Sequence, residues 1–230
     1  MMRRLDQPEL LDLGAGTLAE AHASLRDLER INRYLGGVSA LTAHLYPRLR
    51  RLQTTQTPIR LVDLGTGSAA LPRLICARGG CECYAVDFST RNLDFARQQP
   101  ADGVYLVQAD ALHLPFAPGH VDYFLSSLFL HHFPPEQVIT LLRDCYARAR
   151  HGLIMTDLVR GVLPLVGFKL VQPIFARSAI TRYDADVSVR RGYTPAELRE
   201  LARQAGLPHA RVHVHPLFRM TLVVDKDGRA

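Results

Sequence analysis

Apolar side chains recur every three or four positions through the first fifty residues. In the first such stretch they fall at Leu18, Ala21, Leu25, Leu28, Ile31 and Leu35. This spacing places them on one face of a helix. Gly36 and Gly37 end that helix, and residues 38–52 predict a second one before a polar break at residues 54–58. The pattern therefore predicts an N-terminal helical cap over residues 1–57.

From residue 59 onwards, short apolar runs alternate with helical segments. The runs predict strands at 59–63, 83–87, 104–108, 121–126 and 152–156, and the helices between them fall at 69–77, 91–99 and 135–149. Strands and helices that alternate at this spacing are typical of parallel βαβ units. We therefore expect an α/β fold with a doubly wound, mostly parallel sheet.

The C-terminal part of the chain has a different pattern. Residues 161–189 are apolar and interrupted by prolines, and the pattern assigns them to neither helix nor strand. Thr194, Pro195 and Glu197 have the residue types of an N-cap, a first helical position and a capping glutamate. That helix runs to Ala205, and residues 209–214 and 218–224 predict a closing pair of strands.

These elements predict one domain with about seven strands, the last two forming an antiparallel hairpin. Its four parts are a helical cap (1–57), a cofactor-binding core (58–160), a lid or acceptor insertion (161–193) and a closing helix with strands (194–230).

Composition narrows the classes of partner. The net charge is +6, but the basic residues are almost all arginines and are scattered, whereas a nucleic-acid site clusters them. No apolar run reaches the roughly 18 residues of a membrane span, and no apolar segment follows the first arginines as in a signal peptide. The four cysteines form no C-x-x-C and have no partner histidine pair. We expect a cytoplasmic protein without a metal or a membrane span, and a nucleic-acid partner only as a minor alternative.

A glycine turn follows the first predicted strand. Gly65 and Gly67 let the backbone approach a ligand where a β-carbon would obstruct it, and Asp87 ends the next strand 20 positions later. An acidic residue there holds the ribose hydroxyls of a nucleoside. Both a dinucleotide and S-adenosylmethionine are compatible with this much of the pattern.

Two other carboxylates distinguish between these ligands. Asp63 precedes the glycines, where it would repel the pyrophosphate of a dinucleotide but would attract the cationic amino group of S-adenosylmethionine. Asp110 follows the third strand, where it can accept from an adenine amino group. S-adenosylmethionine is therefore the expected cofactor.

Four segments carry a family resemblance: residues 61–67, 85–89, 108–116 and 121–127. In order and content they resemble the successive motifs of class I S-adenosylmethionine-dependent methyltransferases that act on small molecules. The resemblance is close over residues 58–160 and implies a Rossmann-like methyltransferase fold. It also implies the cofactor contacts: Gly65 and Gly67 at the methionine part, Asp87 at the ribose, Phe88 on the adenine face, Asp110 on its edge, and Ala111 and Ser126 beside them.

Residues 12–16 repeat the same Asp-x-Gly-x-Gly spelling. Too few residues precede them for a buried strand, and Gly36 and Gly37 stand where the ribose carboxylate should be. We interpret this second motif as a loop before the first helix and as a coincidence.

The acceptor chemistry is sought just past the fourth strand, at His131. Neutral imidazole can accept a phenol proton near pH 7. The segment around His131 resembles the stretch of plant and polyketide O-methyltransferases that contains the catalytic histidine, but His132 and Phe133 replace the aspartate and tryptophan found there. His131 is the predicted general base, and a structural or substrate-shaping histidine pair is the alternative.

The apolar side chains of the insertion are expected to line an acceptor pocket. They are Leu163, Leu165, Val166, Phe168, Leu170, Ile174 and Phe175. The predicted function is O-methylation of a small phenolic, quinone or polyketide acceptor of secondary metabolism. The alternatives are methyl transfer to carbon or nitrogen, an RNA methyltransferase, and a catalytically silent cofactor-binding protein. The sequence leaves a homodimer open.

Overall fold

The computed structural model describes residues 2–53, 58–207 and 209–226. Its helices are α1 (Leu18–Tyr34), α2 (Gly37–Leu52), α3 (Ala70–Cys76), α4 (Thr90–Arg97), α5 (Pro135–Arg148), α6 (Val162–Phe175), α7 (Ala179–Arg191) and α8 (Pro195–Gln204). Its strands are β1 (Ile59–Leu64), β2 (Cys81–Asp87), β3 (Val104–Gln108), β4 (Val121–Ser127), β5 (Ala149–Leu158), β6 (Arg211–His215) and β7 (Arg219–Asp225). Most of the predicted polar break, residues 54–57, lies outside the described residues.

All seven strands form one sheet in the order β3-β2-β1-β4-β5-β7-β6. Strands β1 to β5 run parallel to one another, and β7 pairs antiparallel with both β5 and β6. The predicted doubly wound sheet with a C-terminal antiparallel hairpin is therefore confirmed. The closing strands are shifted toward the C-terminus by one or two residues, an ordinary difference at element ends.

Each face of the sheet has its own apolar layer because side chains alternate along a strand. Leu61 and Leu125 pack on one face with residues of α2 and α3, such as Leu41 and Ile75. The opposite face packs against α5 and α8. Both layers contain fully buried aliphatic side chains, so the sheet is covered on both sides and its position relative to the helices is fixed.

Local signals start the helices where the sequence predicts them. Thr17 caps α1, and the side chain of Glu20 accepts from the backbone N–H of Thr17 in return. Thr194 and Glu197 form the same reciprocal capping box at the start of α8. The predicted helix starts at these two places are therefore confirmed.

Residues 161–189, which the pattern could not assign, form most of two helices, α6 and α7. Proline is tolerated in the first turn, where Pro164 lies, and Pro173 falls in the last turn of α6. Pro164 is the only buried residue of α6, so the helix presents apolar side chains on nearly all sides and shows no amphipathic period. Within the described residues, no helix has the length and apolarity needed to cross a membrane.

The strand order reverses between β1 and β4, which lie side by side at the centre of the sheet. In an open α/β sheet, the loops at such a reversal leave a crevice beyond the carboxyl ends of the strands. The polar segments singled out in the sequence follow β1, β2, β3 and β4, so they all reach this edge.

A substitution at Gly152 of β5 tests how closely β5 and β7 pack against each other. A β-carbon at Gly152 would lie 1.9 Å from the carbonyl oxygen of Val224 on β7. We expect Gly152→Ala to push these strands apart and lower the free energy of unfolding by roughly 1–3 kcal/mol, measured by denaturant unfolding. Gly79→Ala is the control, since Gly79 has positive φ but no atom within 4 Å of an added β-carbon. A variant at 152 no less stable than the one at 79 would contradict this packing.

Candidate cofactor and acceptor site

One cavity of about 690 Å³ lies at the carboxyl ends of the strands. Its walls include the glycine turn after β1, the residues after β2 and β3, and the segment from Ser127 to Phe133 after β4. Residues of α1 and the N-terminal residues Glu9, Leu11 and Asp12 also line it. The cavity therefore brings together the predicted cofactor segments and the histidine pair.

The glycine turn needs both of its glycines, for different reasons. Gly65 has a φ of +65°, and a β-carbon there would lie 2.1 Å from the ring of Phe129. Gly67 has a φ of +55°, and its backbone N–H donates to Asp87 Oδ2 at 2.8 Å. Gly65 thus makes room for an aromatic wall of the cavity, whereas Gly67 ties the turn to the end of β2.

The carboxylate of Asp87 joins the glycine turn to the start of α4. Besides Gly67, it accepts from the backbone N–H of Ser89 at 2.9 Å and from the side chain of Asn92 at 3.2 Å. Burial raises the pKa of Asp87, and these hydrogen bonds oppose the rise. Each carboxylate oxygen has two lone pairs, so Asp87 can still accept from a ligand hydroxyl.

Asp63 is buried at the end of β1 and is only half satisfied. Its Oδ2 accepts from the hydroxyl of Thr66 at 2.7 Å, but its Oδ1 is buried with no hydrogen-bond partner among the described residues. Burial raises the pKa of Asp63 to about 7, although the hydrogen bond from Thr66 lowers it. Such a carboxylate lacks a cationic donor on its free oxygen.

The residues predicted to surround an adenine lie on the walls of the cavity. Phe88 is 76% exposed, which is unusual for a phenylalanine, and its ring is free to receive a flat ligand. Asp110 accepts from the backbone N–H of Leu112, and its other oxygen lies 2.9 Å from Nδ1 of His113. Ala111 is buried beside it. All three predicted residues thus line one cavity.

Ser126 requires a correction. Its side chain is fully buried in β4, and its hydroxyl lies 3.0 Å from the sulfur of Met155. Side chains alternate along a strand, so the next residue, Ser127, lines the cavity instead. Ser127 donates to Asn32 of α1.

His131 lies between two carboxylates. Its Nδ1 is 2.7 Å from Asp157 Oδ1, its Nε2 is 3.2 Å from Glu9 Oε1, and its backbone N–H donates to Asp157 Oδ2. Burial alone would lower the pKa of His131, but Asp157 and Glu9 together raise it. His131 is therefore a buried imidazolium with both nitrogens occupied. This geometry contradicts its prediction as the general base, because it has no lone pair for an incoming proton.

The N-terminal segment forms hydrogen bonds with the segment that contains the histidine pair. Glu9 accepts from His131 and from the hydroxyl of Ser188 on α7. Arg4 donates to the carbonyl oxygens of His131 and Phe133. These contacts hold residues 4–9 against the segment that follows β4.

His132 has a different environment from His131. Its Nδ1 lies 2.7 Å from Asp12 Oδ2, its side chain lines the cavity, and Nε2 has no hydrogen-bond partner among the described residues. Glu9, His131 and His132 also form the one group of described histidine, cysteine or acidic side chains whose donor atoms all lie within 4.8 Å. The hydrogen bond between Glu9 and His131 accounts for much of this proximity.

Sequence reasoning missed Glu9, Asp12 and Asp157 as site residues. Glu9 and Asp12 precede the first helix in a segment without periodicity, and they meet the histidines only in the folded chain. Residues 12–16 are indeed a loop, but Asp12 belongs to the site because it contacts His132. Asp157 is the penultimate residue of β5, and its position near the carboxyl end of a strand is the one available signal.

Comparison with known proteins bears on the cofactor half of the site. Residues 62–153 match the family model described as a methyltransferase domain. These residues therefore form a class I methyltransferase domain. The cofactor of this class is S-adenosylmethionine, so the predicted class and cofactor are both confirmed.

Similar proteins agree on the fold but differ in their chemistry. Over 71 residues the domain is 41% identical to the biotin biosynthesis bifunctional protein BioHC of Cellvibrio japonicus, covering 31% of this chain and only 14% of that protein. The fold is similar to an S-adenosylmethionine-dependent methyltransferase from Aquifex aeolicus (13% identity, TM-score 0.57, 92% and 99% of the two chains). It is also similar to the plantazolicin methyltransferase BamL (10% identity, TM-score 0.63, 90% and 98% of the two chains).

The methyltransferase domain has the residues needed to hold S-adenosylmethionine. The unpartnered oxygen of Asp63 fits a cationic amino group, Asp87 fits a ribose diol, and the open ring of Phe88 fits an adenine face. The donor set therefore fits this cofactor and would repel a pyrophosphate at Asp63.

Asp63→Asn tests two effects of the buried carboxylate separately: its effect on the stability of the protein without cofactor, and its contribution to cofactor binding. The pKa of Asp63 is raised, so the folded protein without cofactor holds its proton more tightly than the unfolded chain, and stability falls as pH rises from about 4 to about 7. We expect the asparagine variant without cofactor to melt at a higher temperature than the parent at pH 8 and at about the same temperature at pH 4.5. We also expect it to bind S-adenosylmethionine at least about tenfold more weakly, since a loss of 1.4 kcal/mol is tenfold.

Thermal unfolding and calorimetric titration measure these two effects. Asp110→Asn is the matched control for the stability measurement. The pKa of Asp110 is lowered by its hydrogen bonds, so this change should bring no gain in stability. Unchanged cofactor affinity in Asp63→Asn would refute the assignment of its free oxygen.

Proposed function

We propose that this chain transfers the methyl group of S-adenosylmethionine to a hydroxyl oxygen of a small aromatic acceptor of the phenol, quinone or polyketide type. The observation that carries the proposal is the shared cavity, in which the cofactor segments and the carboxylate-bound His132 face the same space. The wall contributed by Phe129, Phe133 and Phe168 supports a flat, apolar acceptor.

S-adenosylmethionine, when bound, supplies an electrophilic methyl group. Asp63, Asp87 and Phe88 would hold it at the glycine turn. The remaining task of the chain is to align a hydroxyl and to remove its proton.

His132 is our candidate for the proton acceptor in place of His131. When Nδ1–H is donated to Asp12, the imidazole is held in the tautomer whose Nε2 carries a free lone pair. His132 lines the cavity, and Nε2 has no competing partner among the described residues. The pair Asp12–His132 therefore has the arrangement of a base and the group that orients it.

His131 is a positioning residue in this proposal. Its ring packs beside that of His132, with the two centroids 4.3 Å apart. Its bonds to Asp157 and Glu9 fix the short turn Leu130–His132 and the N-terminal segment that carries Asp12. His131 thus holds both members of the candidate base pair in place.

Helices α6 and α7 supply part of the acceptor wall, through Phe168 on α6 and Ala185, Ser188 and Val189 on α7. This supports our division of the chain, in which residues 161–193 are a lid over the core. Leu165 and the other apolar side chains predicted to face the acceptor do not line the cavity, so that part of the prediction is corrected: Phe168 alone of that group lines it. The cytoplasmic location and the homodimer stay predictions.

The RNA alternative loses support because many arginines are occupied. Arg48 pairs with Asp225, and Arg160 pairs with Glu197 while donating to the carbonyl of Gly192. These two arginines are therefore not available to bind the phosphates of RNA.

The proposed reaction is tested with S-adenosylmethionine labelled in its methyl group. The purified chain is incubated with phenols, hydroquinones and aromatic polyketides, and with tRNA in a parallel arm. We expect label in an acid-stable ether of at least one phenolic acceptor and none when the same hydroxyl is blocked as an ether. Label on ring carbon would move the function to C-methylation, and label only in tRNA would overturn the small-molecule proposal.

His132→Ala tests the base. We expect kcat on the phenolic acceptor to fall by about 10²–10⁴, because general-base catalysis contributes that much, while cofactor affinity and melting temperature stay unchanged. Asp12→Asn should lower kcat less. His131→Ala should instead lower the melting temperature, since it leaves Asp157 buried without its cation.

His120→Ala, at the opposite end of β4, is the control for loss of a histidine. The assignment fails if His132→Ala turns over normally, or if His131→Ala keeps full stability and loses turnover to the same degree as a missing base.

A further inference from the structure

Helix α6 has an exposed apolar face that the proposed reaction does not use. The side chains of Leu163 and Leu170 are 74% and 77% exposed, and they share one face with other large apolar residues. Contiguous exposed apolar surface is rare on soluble proteins and marks a site of contact. The members of this apolar surface on α6 are Val162, Leu163, Val166, Leu170 and Ile174.

The tip of the β6–β7 hairpin extends the same surface. Leu217 and Phe218 are both exposed, and a β-carbon on Gly167 of α6 would lie 3.1 Å from the ring of Phe218. Both tip residues have a φ of +58°. Tight hairpin turns of this kind favour asparagine or glycine. Two large apolar residues there are therefore conformationally strained, and nothing in the turn itself compensates for the strain.

The charges near this surface are predominantly positive. Lys169 is the only charged residue of α6, and it lies on the exposed face, 3.5 Å from Asp186 of α7, which also pairs with Arg190. Arg177 follows the helix, and Arg182 is exposed on α7, which packs against α6. An acid-free apolar helix with neighbouring cations has the chemistry of an interfacial helix that lies in the headgroup region of an anionic bilayer.

The same helix also reaches the cavity. Phe168 points to the acceptor wall, while Leu163, Val166 and Leu170 are exposed on the other side. Helix α6 therefore has one side chain in the wall of the cavity and an apolar surface that faces away from it.

We propose that this apolar surface, the outer face of α6 with Leu217 and Phe218, docks on an anionic lipid bilayer. From there the protein takes up a lipophilic aromatic acceptor, a second step that rests on the proposed function. Docking is peripheral: the helix lies along the interface with its apolar side chains among the acyl chains and Lys169 among the headgroups.

Vesicle co-sedimentation of the full chain tests docking without any reaction. The vesicles are phosphatidylcholine alone or phosphatidylcholine with phosphatidylglycerol. We expect binding to the mixed vesicles, weaker binding at high salt because the charges are screened, and little binding to phosphatidylcholine alone. The double variant Leu163→Gln/Leu170→Gln should bind the mixed vesicles at least about tenfold more weakly, since it removes two large apolar side chains that would be buried among the acyl chains.

Tyr105→Gln is the matched control, because Tyr105 is also exposed but lies on β3 at the far edge of the sheet. It should bind vesicles like the parent. The double variant should keep the parent's melting temperature, as both leucines are largely exposed, and its turnover of a water-soluble phenol in the absence of vesicles. Failure of the proposed function would abolish that turnover in parent and variant alike but would leave vesicle binding intact.

Three outcomes would overturn docking. The first is a parent chain that sediments with neither vesicle type, and the second is a double variant that binds as well as the parent. The third is a parent that is a dimer by light scattering and becomes a monomer in the double variant without any vesicle binding, which would make a second copy of this chain the occupant of the surface.

Discussion

The ion pair between Asp157 and His131 is the interaction on which the site depends. Asp157 is the penultimate residue of β5, so its position is set by the sheet, and its two oxygens receive both the ring and the backbone N–H of His131. His131 in turn binds Glu9, which also accepts from Ser188 of α7. A buried ion pair is costly unless every lone pair and proton is used, and here a strand end, a turn, the N-terminal segment and α7 all contribute partners. The part of the cavity that contains the histidines is assembled around this one pair.

The cofactor side could be predicted from the sequence because its signals are local. A strand, a turn and a helix start lie within a dozen residues, and the spacing from Gly67 to Asp87 is fixed by one βαβ unit. The acceptor side could not be predicted in the same way. Glu9 lies 122 positions from His131, and no periodicity marks it. The sequence identified the turn that carries the histidines, but only the folded chain shows that His131 has two carboxylate partners, which is why we propose His132 as the proton acceptor.

Helix α6 shows why a hydrophobic pattern alone can mislead. A helix is recognised when its apolar residues occupy one face, since that face is buried. In α6 the buried side is limited to Pro164, with Phe168 at the cavity, while apolar residues also occupy the exposed side. The period is therefore lost, and the apolar content was interpreted as pocket lining. The apolar residues on the exposed side of α6 therefore have two consequences. They remove the period by which a helix is recognised in the sequence, and they distinguish the outer face of α6 from an ordinary protein surface.

Asp63 and Asp157 show how one residue type serves two purposes in this fold. Both are buried at the end of a strand, and burial acts on both to raise the pKa. Asp157 has the cation of His131 within the chain, so its pKa is lowered and it stays ionised as a permanent structural anion. Asp63 has only the hydroxyl of Thr66, so its pKa stays raised and one oxygen stays unpaired. The difference lies in where the cation comes from: the fold supplies it at Asp157, whereas at Asp63 we propose that the amino group of the cofactor supplies it. On this proposal, the cost of burying Asp63 would be relieved on binding, and cofactor affinity would be coupled to the stability of the sheet.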